Sequence, residues 1–171
     1  MTMNKMAFDK IPGLPVIFDR LRRGYHITQE DGEPFWTIKA NEEFLSGLFS
    51  ALGFDFQADA RGFYYFRGRG PLSDRSGRMA LFMFILVEWL ADRGEMVQEV
   101  VLAGRFRISE LPHLTMERYQ SYLREAGISG DDGLLDIIRS MERYGFLKRK
   151  GRDEFVFRPP VVRFLDLCRE A

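Results

Sequence analysis

The sequence predicts an α+β fold, mainly α, arranged as two similar halves in tandem, and three observations predict it. The stretch from Asp131 to Arg158 opens as a helix, with Leu134, Leu135, Ile138 and Met141 at three- and four-residue spacings and Asp131 and Asp132 at the positive end of its dipole. Gly145 stops it, and Phe146–Leu147 and Phe155–Phe157 then flank a charged, glycine-containing loop in the pattern of a β-hairpin. The second observation is that residues 11–70 run through the same order of helix, helix and hairpin. The third is RGRGP, residues 67–71, which breaks regular structure between the halves. A helix, a tight exit and a hairpin form the second half of a winged helix. In that relative of the helix-turn-helix the last helix can read a DNA groove while the hairpin, or wing, flanks it. The expected organisation is a flexible tail over 1–10, a winged-helix domain over 11–70, a linker over 71–75 and a second winged-helix domain over 76–171.

Taken in order, Leu14, Ile17, Phe18 and Leu21 make a compact amphipathic helix backed by Arg20, Arg22 and Arg23 and ended by Gly24. Tyr25 to Pro34, with Asp31-Gly32 inside it, reads as a loop. A second helix starts near Asn41, its expected N-cap, carries Phe44, Leu45, Leu48, Phe49 and Leu52, and stops at Gly53. The period then changes to two: Phe54, Phe56 and Ala58 alternate with Asp55, Gln57 and Asp59, and Phe63-Tyr64-Tyr65-Phe66 follows as a second strand.

From Ser76 a long apolar helix carries Met79, Phe82, Met83, Leu86, Trp89 and Leu90 to Arg93-Gly94; its two apolar flanks suit a bridge between the halves or a dimer seam. Phe106 and Ile108 alternate with Arg105 and Arg107 in a short strand, and Ser109 is placed to cap the next helix. Pro112 forbids a continuous helix through Leu111, Leu114, Tyr119, Tyr122 and Leu123, so one broken helix or two short ones reach Gly127. After the 131–158 stretch, Pro159-Pro160 interrupts the wing and a last helix carries Val161, Phe164, Leu165 and Cys168.

Successive strand residues face opposite ways, so the four aromatics Phe63, Tyr64, Tyr65 and Phe66 cover both faces of their strand. Either a helix of the same chain covers the second face or it docks another chain, which makes these four the partner-binding candidates.

Composition narrows the function classes. The 171 residues are 46% hydrophobic and 14% aromatic, enough for one substantial core or two small ones. Basic and acidic residues number 25 each, so no global field draws the chain to nucleic acid or an anionic membrane and any such contact is local. Of the basic residues 20 are arginine, in keeping with interfaces or with a GC-rich genome. A lone Cys168 excludes an internal disulfide framework and suits a reducing cytoplasm. The N-terminus has no apolar signal core, and no stretch reaches the ~20 apolar residues of a membrane span.

The chemistry-bearing residues are sparse. His26, His113 and Cys168 do not cluster as metal ligands. RGRGP lacks the spacing and the Lys-Ser/Thr of a phosphate loop. Cys168 has no local base to lower its pKa, and Tyr25 beside His26 reads as a loop pair or, alternatively, a small-molecule sensor. The expectation is no enzyme, no cofactor and no metal. DNA contact is a sharper question. Within the presumptive recognition helix, Asp131, Asp132, Asp136 and Glu142 outnumber Arg139 and Arg143, which disfavours approach to phosphates. The wing is basic: Lys148, Arg149, Lys150, Arg152 and Arg158 stand against Asp153 and Glu154. Lys148, Arg149, Lys150 and Arg152 are therefore the DNA-binding candidates, suited to phosphate contacts that position without specifying.

RLRRGYHI (20–27) and RGFYYFRGR (61–69) resemble the two N-terminal signature stretches of the bacterial MukE and MksE proteins. GRFRISEL (104–111), SMERYGFLKRK (140–150) and VVRFLDL (161–167) come after them in the corresponding order, so the resemblance covers nearly the whole chain. The short second half is more similar to the MksE branch. The resemblance implies a non-catalytic, dimeric tandem winged-helix subunit that holds the kleisin subunit of an SMC-type condensin, the SMC ATPase being reached through the kleisin. It further implies a cytoplasmic, nucleoid-associated role in chromosome organisation and segregation, or in plasmid defence, with DNA contact inside the complex and no membrane. The rival reading from another class is a free-standing winged-helix transcription regulator.

Overall fold

The computed structural model describes residues 9–70 and 73–170, and the chain divides into two compact units, residues 1–69 and 70–171. Most of the expected tail, residues 1–8, and the Pro71-Leu72 part of the expected linker lie outside the described residues.

In the first unit α1 (Leu14–Arg22) buries Ile17 and Leu21, one turn apart, and turns its arginines outward. The stretch expected as a loop is more ordered than that. Ile27–Thr28 form a short strand, β1, and Gln29–Asp31 make a single 3-10 turn. The Thr28 hydroxyl accepts the Glu30 N–H at 3.1 Å and the Asp31 carboxylate accepts the Thr28 N–H at 2.8 Å, so side chains satisfy the donors that this turn leaves unpaired. Helix α2 (Glu33–Ala40) then begins with Pro34 in its first turn and buries Phe35 and Ile38. Helix α3 (Glu42–Ala51) buries Leu45 and Phe49. Asn41 separates the two helices as expected, but its side chain does not cap α3: Nδ2 donates backwards to the Thr37 carbonyl at 2.8 Å and closes α2. Strands β2 (Asp55–Asp59) and β3 (Phe63–Arg67) complete an antiparallel sheet of order β1-β3-β2. The core of the unit is Ile17, Leu21, Ile27, Phe35, Ile38, Leu45, Phe49 and Tyr64, with Phe18, Phe54, Phe56 and Phe66 packed against it.

The second unit opens with α4 (Asp74–Asp92), which starts inside the expected linker. Ser73 caps it, its hydroxyl accepting the Ser76 N–H at 3.2 Å. The helix buries Met79, Phe82, Met83, Ile85, Leu86 and Leu90 and is the post around which the unit packs. A further helix, α5 (Val97–Ala103), precedes β4 (Arg105–Arg107) and a 3-10 turn at Ile108–Glu110. Pro112 does divide the next segment, giving α6 (Pro112–Thr115) and α7 (Glu117–Glu125). Ser109 caps neither; its N–H and hydroxyl both donate to the Asp153 carboxylate, at 2.9 and 2.7 Å. Helix α8 (Gly130–Arg143) buries Leu134, Ile137, Ile138 and Met141 and ends where Gly145 adopts φ 82°, a conformation that favours glycine. Strands β5 (Leu147–Arg149) and β6 (Glu154–Phe157) form the hairpin, β4 joins it in the order β4-β6-β5, and α9 (Val162–Glu170) comes last.

The two units therefore share one topology: a short strand and a 3-10 turn, helices, then a hairpin whose last strand lies between the other two. Among the described residues no helix is long and apolar enough to cross a membrane.

Candidate functional site

The aromatic strand is the first candidate. Phe63, Tyr64 and Tyr65 are only 1%, 6% and 8% exposed, and Phe66 is half-buried. Strand β3 is central in its sheet, so strands flank it on both edges, and the chain itself covers both of its faces. Tyr64 and Phe66 face the core: Phe56 stacks on Tyr64 at 5.6 Å, and Phe54 stacks on Phe66 at 4.8 Å. Phe63 and Tyr65 meet His26, whose ring stacks on Tyr65 at 5.1 Å. The four aromatics thus form the inside of the unit and offer no open docking patch. Tyr64 also donates its hydroxyl to the Glu42 carboxylate at 2.9 Å. Burial, together with that hydrogen bond, pushes the phenol well above its usual range. Tyr25 and His26 are engaged separately: Tyr25 donates to Asp31 at 2.6 Å, while His26 is buried against the aromatic strand.

The hairpin of the second unit is the other candidate, and cross-strand register sorts its cations. Arg105, Val156 and Lys148 stand in one row, and Arg107 faces Glu154, whose carbonyl accepts the Lys150 N–H at 2.7 Å. These rows point one way, and Arg105, Arg107, Lys148 and Lys150 are all exposed. The intervening row, Phe106, Phe155 and Arg149, points the other way, into the core. Arg149 is accordingly turned inward and half-buried, its Nε without a partner among the described residues and its Nη2 reaching the Arg152 carbonyl at 3.5 Å. Of the four DNA-binding candidates, Lys148, Lys150 and Arg152 face solvent and Arg149 does not.

Arg158, counted with the wing in the sequence, is not part of its surface. It is 5% exposed, and its guanidinium donates to the Gly145 carbonyl at 2.8 Å, at the exit of α8. The hairpin loop is held at its base by Asp153, whose carboxyl the Ser109 hydrogen bonds keep below the usual range.

Two cations that the hairpin pattern did not bring in, Arg105 and Arg107, extend the basic face across a third strand. Their signal was present in the sequence as the alternation RFRIS, but only the β4-β6 pairing puts them beside Lys148 and Lys150. Glu154 is the carboxylate in this face, 3.5 Å from Arg107, so three of the four cations stand without an ion pair among the described residues. No group of three or more His, Cys, Asp or Glu among the described residues could hold a metal ion. His113 is wholly buried and Cys168 half-buried, with burial pushing its thiol up.

Two units of one sheet topology, the second carrying a basic sheet face, define a tandem α+β protein. A family model described as condensin complex protein MksE matches residues 12–169, and the chain belongs to that family. It is thereby a subunit of a condensin complex. A search of curated proteins returns no match.

Proposed function

We propose that the chain is the non-catalytic subunit of an MksBEF-like condensin: two copies pair and together hold the kleisin subunit, through which they reach the SMC ATPase. The observation that carries this reading is the family match over residues 12–169, and the doubled topology supports it. On this reading each unit is a winged helix, over 11–70 and from the start of α4 at Asp74 onward, and the order of short strand, helices and hairpin supports it. The subunit works in the cytoplasm, at the nucleoid. The aromatic strand Phe63 to Phe66 builds the interior of the first unit, so kleisin contact falls to the surface around it. Phosphate contact falls to the basic sheet face and the wing tip, Arg105, Arg107, Lys148, Lys150 and Arg152. These side chains can neutralise backbone charge without reading bases.

The test is co-expression with the kleisin of the same complex, then size-exclusion chromatography with light scattering. A stable assembly containing two copies of the chain is expected. Absence of any assembly, together with tight sequence-specific duplex binding by the isolated chain, would overturn the reading in favour of a transcription regulator. The substitutions Lys148→Glu and Lys150→Glu are expected to weaken DNA binding by the assembled complex and to leave kleisin binding unchanged. Unchanged DNA affinity would remove the wing from the account.

A further inference from the structure

The two units satisfy the same 3-10 turn in different ways. In the first, Gln29–Asp31 is capped from within by Thr28 and Asp31, and the hairpin tip closes on itself: the Asp59 carboxylate accepts the Arg61 N–H at 2.9 Å and pairs with its guanidinium at 2.9 Å. In the second, the turn Ile108–Glu110 follows Arg107, a side chain with no acceptor to offer, so the first N–H groups of the turn need a partner from elsewhere. Asp153, 44 residues beyond Ser109, meets that need. Its carbonyl accepts the Ile108 N–H at 2.7 Å, and its carboxylate accepts the Ser109 N–H at 2.9 Å and the Ser109 hydroxyl at 2.7 Å. Asp153 also ends the hairpin tip, in which Gly151 adopts φ 92° and the Lys150 N–H reaches the Glu154 carbonyl at 2.7 Å. The Lys150 and Arg152 side chains on that tip are exposed and have neither hydrogen bond nor ion pair among the described residues.

We propose that Asp153 is the positioning residue of the basic hairpin: clasped to Ser109, it holds the Lys150-Gly151-Arg152 tip in one conformation beside Arg107, so that phosphates meet cations already in place. The inference rests on the phosphate contacts of the proposed function and adds what arranges them. By charge alone a carboxylate on this face weakens binding, because it repels phosphate. Its benefit is conformational. A tip that contains glycine and two long side chains loses backbone freedom when it is fixed on a ligand. The clasp fixes it beforehand, so that loss no longer opposes the binding step. The hydrogen bonds from Ser109 also hold the Asp153 carboxyl below its usual range, so the clasp stays charged at neutral pH. The tip of the first unit, closed by its own Asp59–Arg61 pair, presents no such free cations and needs no tie to the strand beside it.

The experiment has two readouts. Lys150 and Arg152 are trypsin sites on the tip, so limited trypsin digestion of the full-length chain, followed by mass spectrometry, reports how firmly the tip is held. Fluorescence anisotropy with a labelled random-sequence duplex reports the DNA affinity of the complex assembled with the kleisin. Asp153→Ala removes the clasp together with a negative charge. Charge alone would tighten DNA binding; the clasp requires faster cleavage after Lys150 and Arg152 and a Kd raised by about fivefold, the cost of ordering one residue's backbone. Ser109→Ala changes no charge and should move both readouts the same way by less, while Ser109→Thr keeps the hydroxyl and should match the wild type in both. Each variant is measured below its own melting transition, so global unfolding does not enter. Unchanged cleavage in Asp153→Ala, or faster cleavage with duplex affinity equal to or tighter than wild type, would overturn the proposal alone. A wild-type complex that binds no duplex at low salt would overturn the phosphate reading itself, and the positioning role with it.

Discussion

Lowering the pH should destabilise the second unit through one side chain, His113. Its ring is 0% exposed, stacks on Phe82 at 4.3 Å, and its Nε2 lies 2.8 Å from the Phe82 carbonyl. A carbonyl only accepts, so Nε2 carries the proton of the neutral ring, and a second proton would have to go onto Nδ1, which is buried without a partner among the described residues. Burial therefore drives the folded-state pKa down from 6.5 to about 4, against the smaller opposing pull of the carbonyl. Between those values the unfolded chain binds a proton that the folded one refuses. Stability is complete above the unfolded value and is lost as the pH falls toward the folded one.

Applied to this shift, the linkage relation gives a loss of about 2 kcal/mol between pH 7 and pH 5. With a urea dependence of about 2 kcal/mol per molar, the midpoint should fall by roughly 1 M. The assay is urea denaturation monitored by far-UV circular dichroism at both pH values, for the wild type and for His113→Gln, whose amide keeps a donor for the Phe82 carbonyl. The variant should be less stable at pH 7 but should lose far less on acidification. An equal acid-induced loss in both proteins would refute the reasoning, because the titrating group would then lie elsewhere.

Arg158→Met keeps the apolar stem and removes the donor to Gly145; the second unit should lose about 1.5–3 kcal/mol in thermal melts, since a charge-assisted bond disappears and a buried carbonyl loses a partner. Gly104→Ala should cost that unit about 1–3 kcal/mol in the same assay, because a Cβ there would collide with the Val100 carbonyl, which cannot withdraw without opening α5. Tyr64→Phe should lower the stability of the first unit by about 1 kcal/mol by deleting the bond to Glu42, measured by chemical denaturation.

Much of this architecture was legible locally. The 3.6-residue stripes of α1, α3, α4 and α8, the stop at Gly145 and the two hairpins are set by neighbours in sequence. The features that escaped were short or non-local. Helix α2 goes unread, its first two residues counted with the loop, because Pro34 sits in its first turn, where the missing N–H is harmless. Strand β1 has two residues and no period, and it exists through its pairing with Tyr64 and Phe63. The same limit applies to the surfaces. Counting charges along α8 makes it an acidic helix, yet Asp131 and Asp132 occupy its first turn whereas Arg139 and Arg143 share a groove with two arginines of α4. Arg149 and Arg158 looked like wing cations until register and burial turned both inward.

The placement of β6 between β4 and β5 also sets an order of events for a nascent chain. Strands β5 and β6 are joined by a short turn and meet early, at low loop-closure cost. Strand β4 leaves the ribosome before α6, α7 and α8 and must wait for β6 before any partner exists for it. Until then Phe106 has no Phe155 or Phe157 to pack on, and the edge that β4 will close stands open. The second unit therefore passes through a stage in which α6, α7 and α8 have been made but β4 remains unpaired, the interval in which a chaperone or an early-binding partner subunit would protect it most.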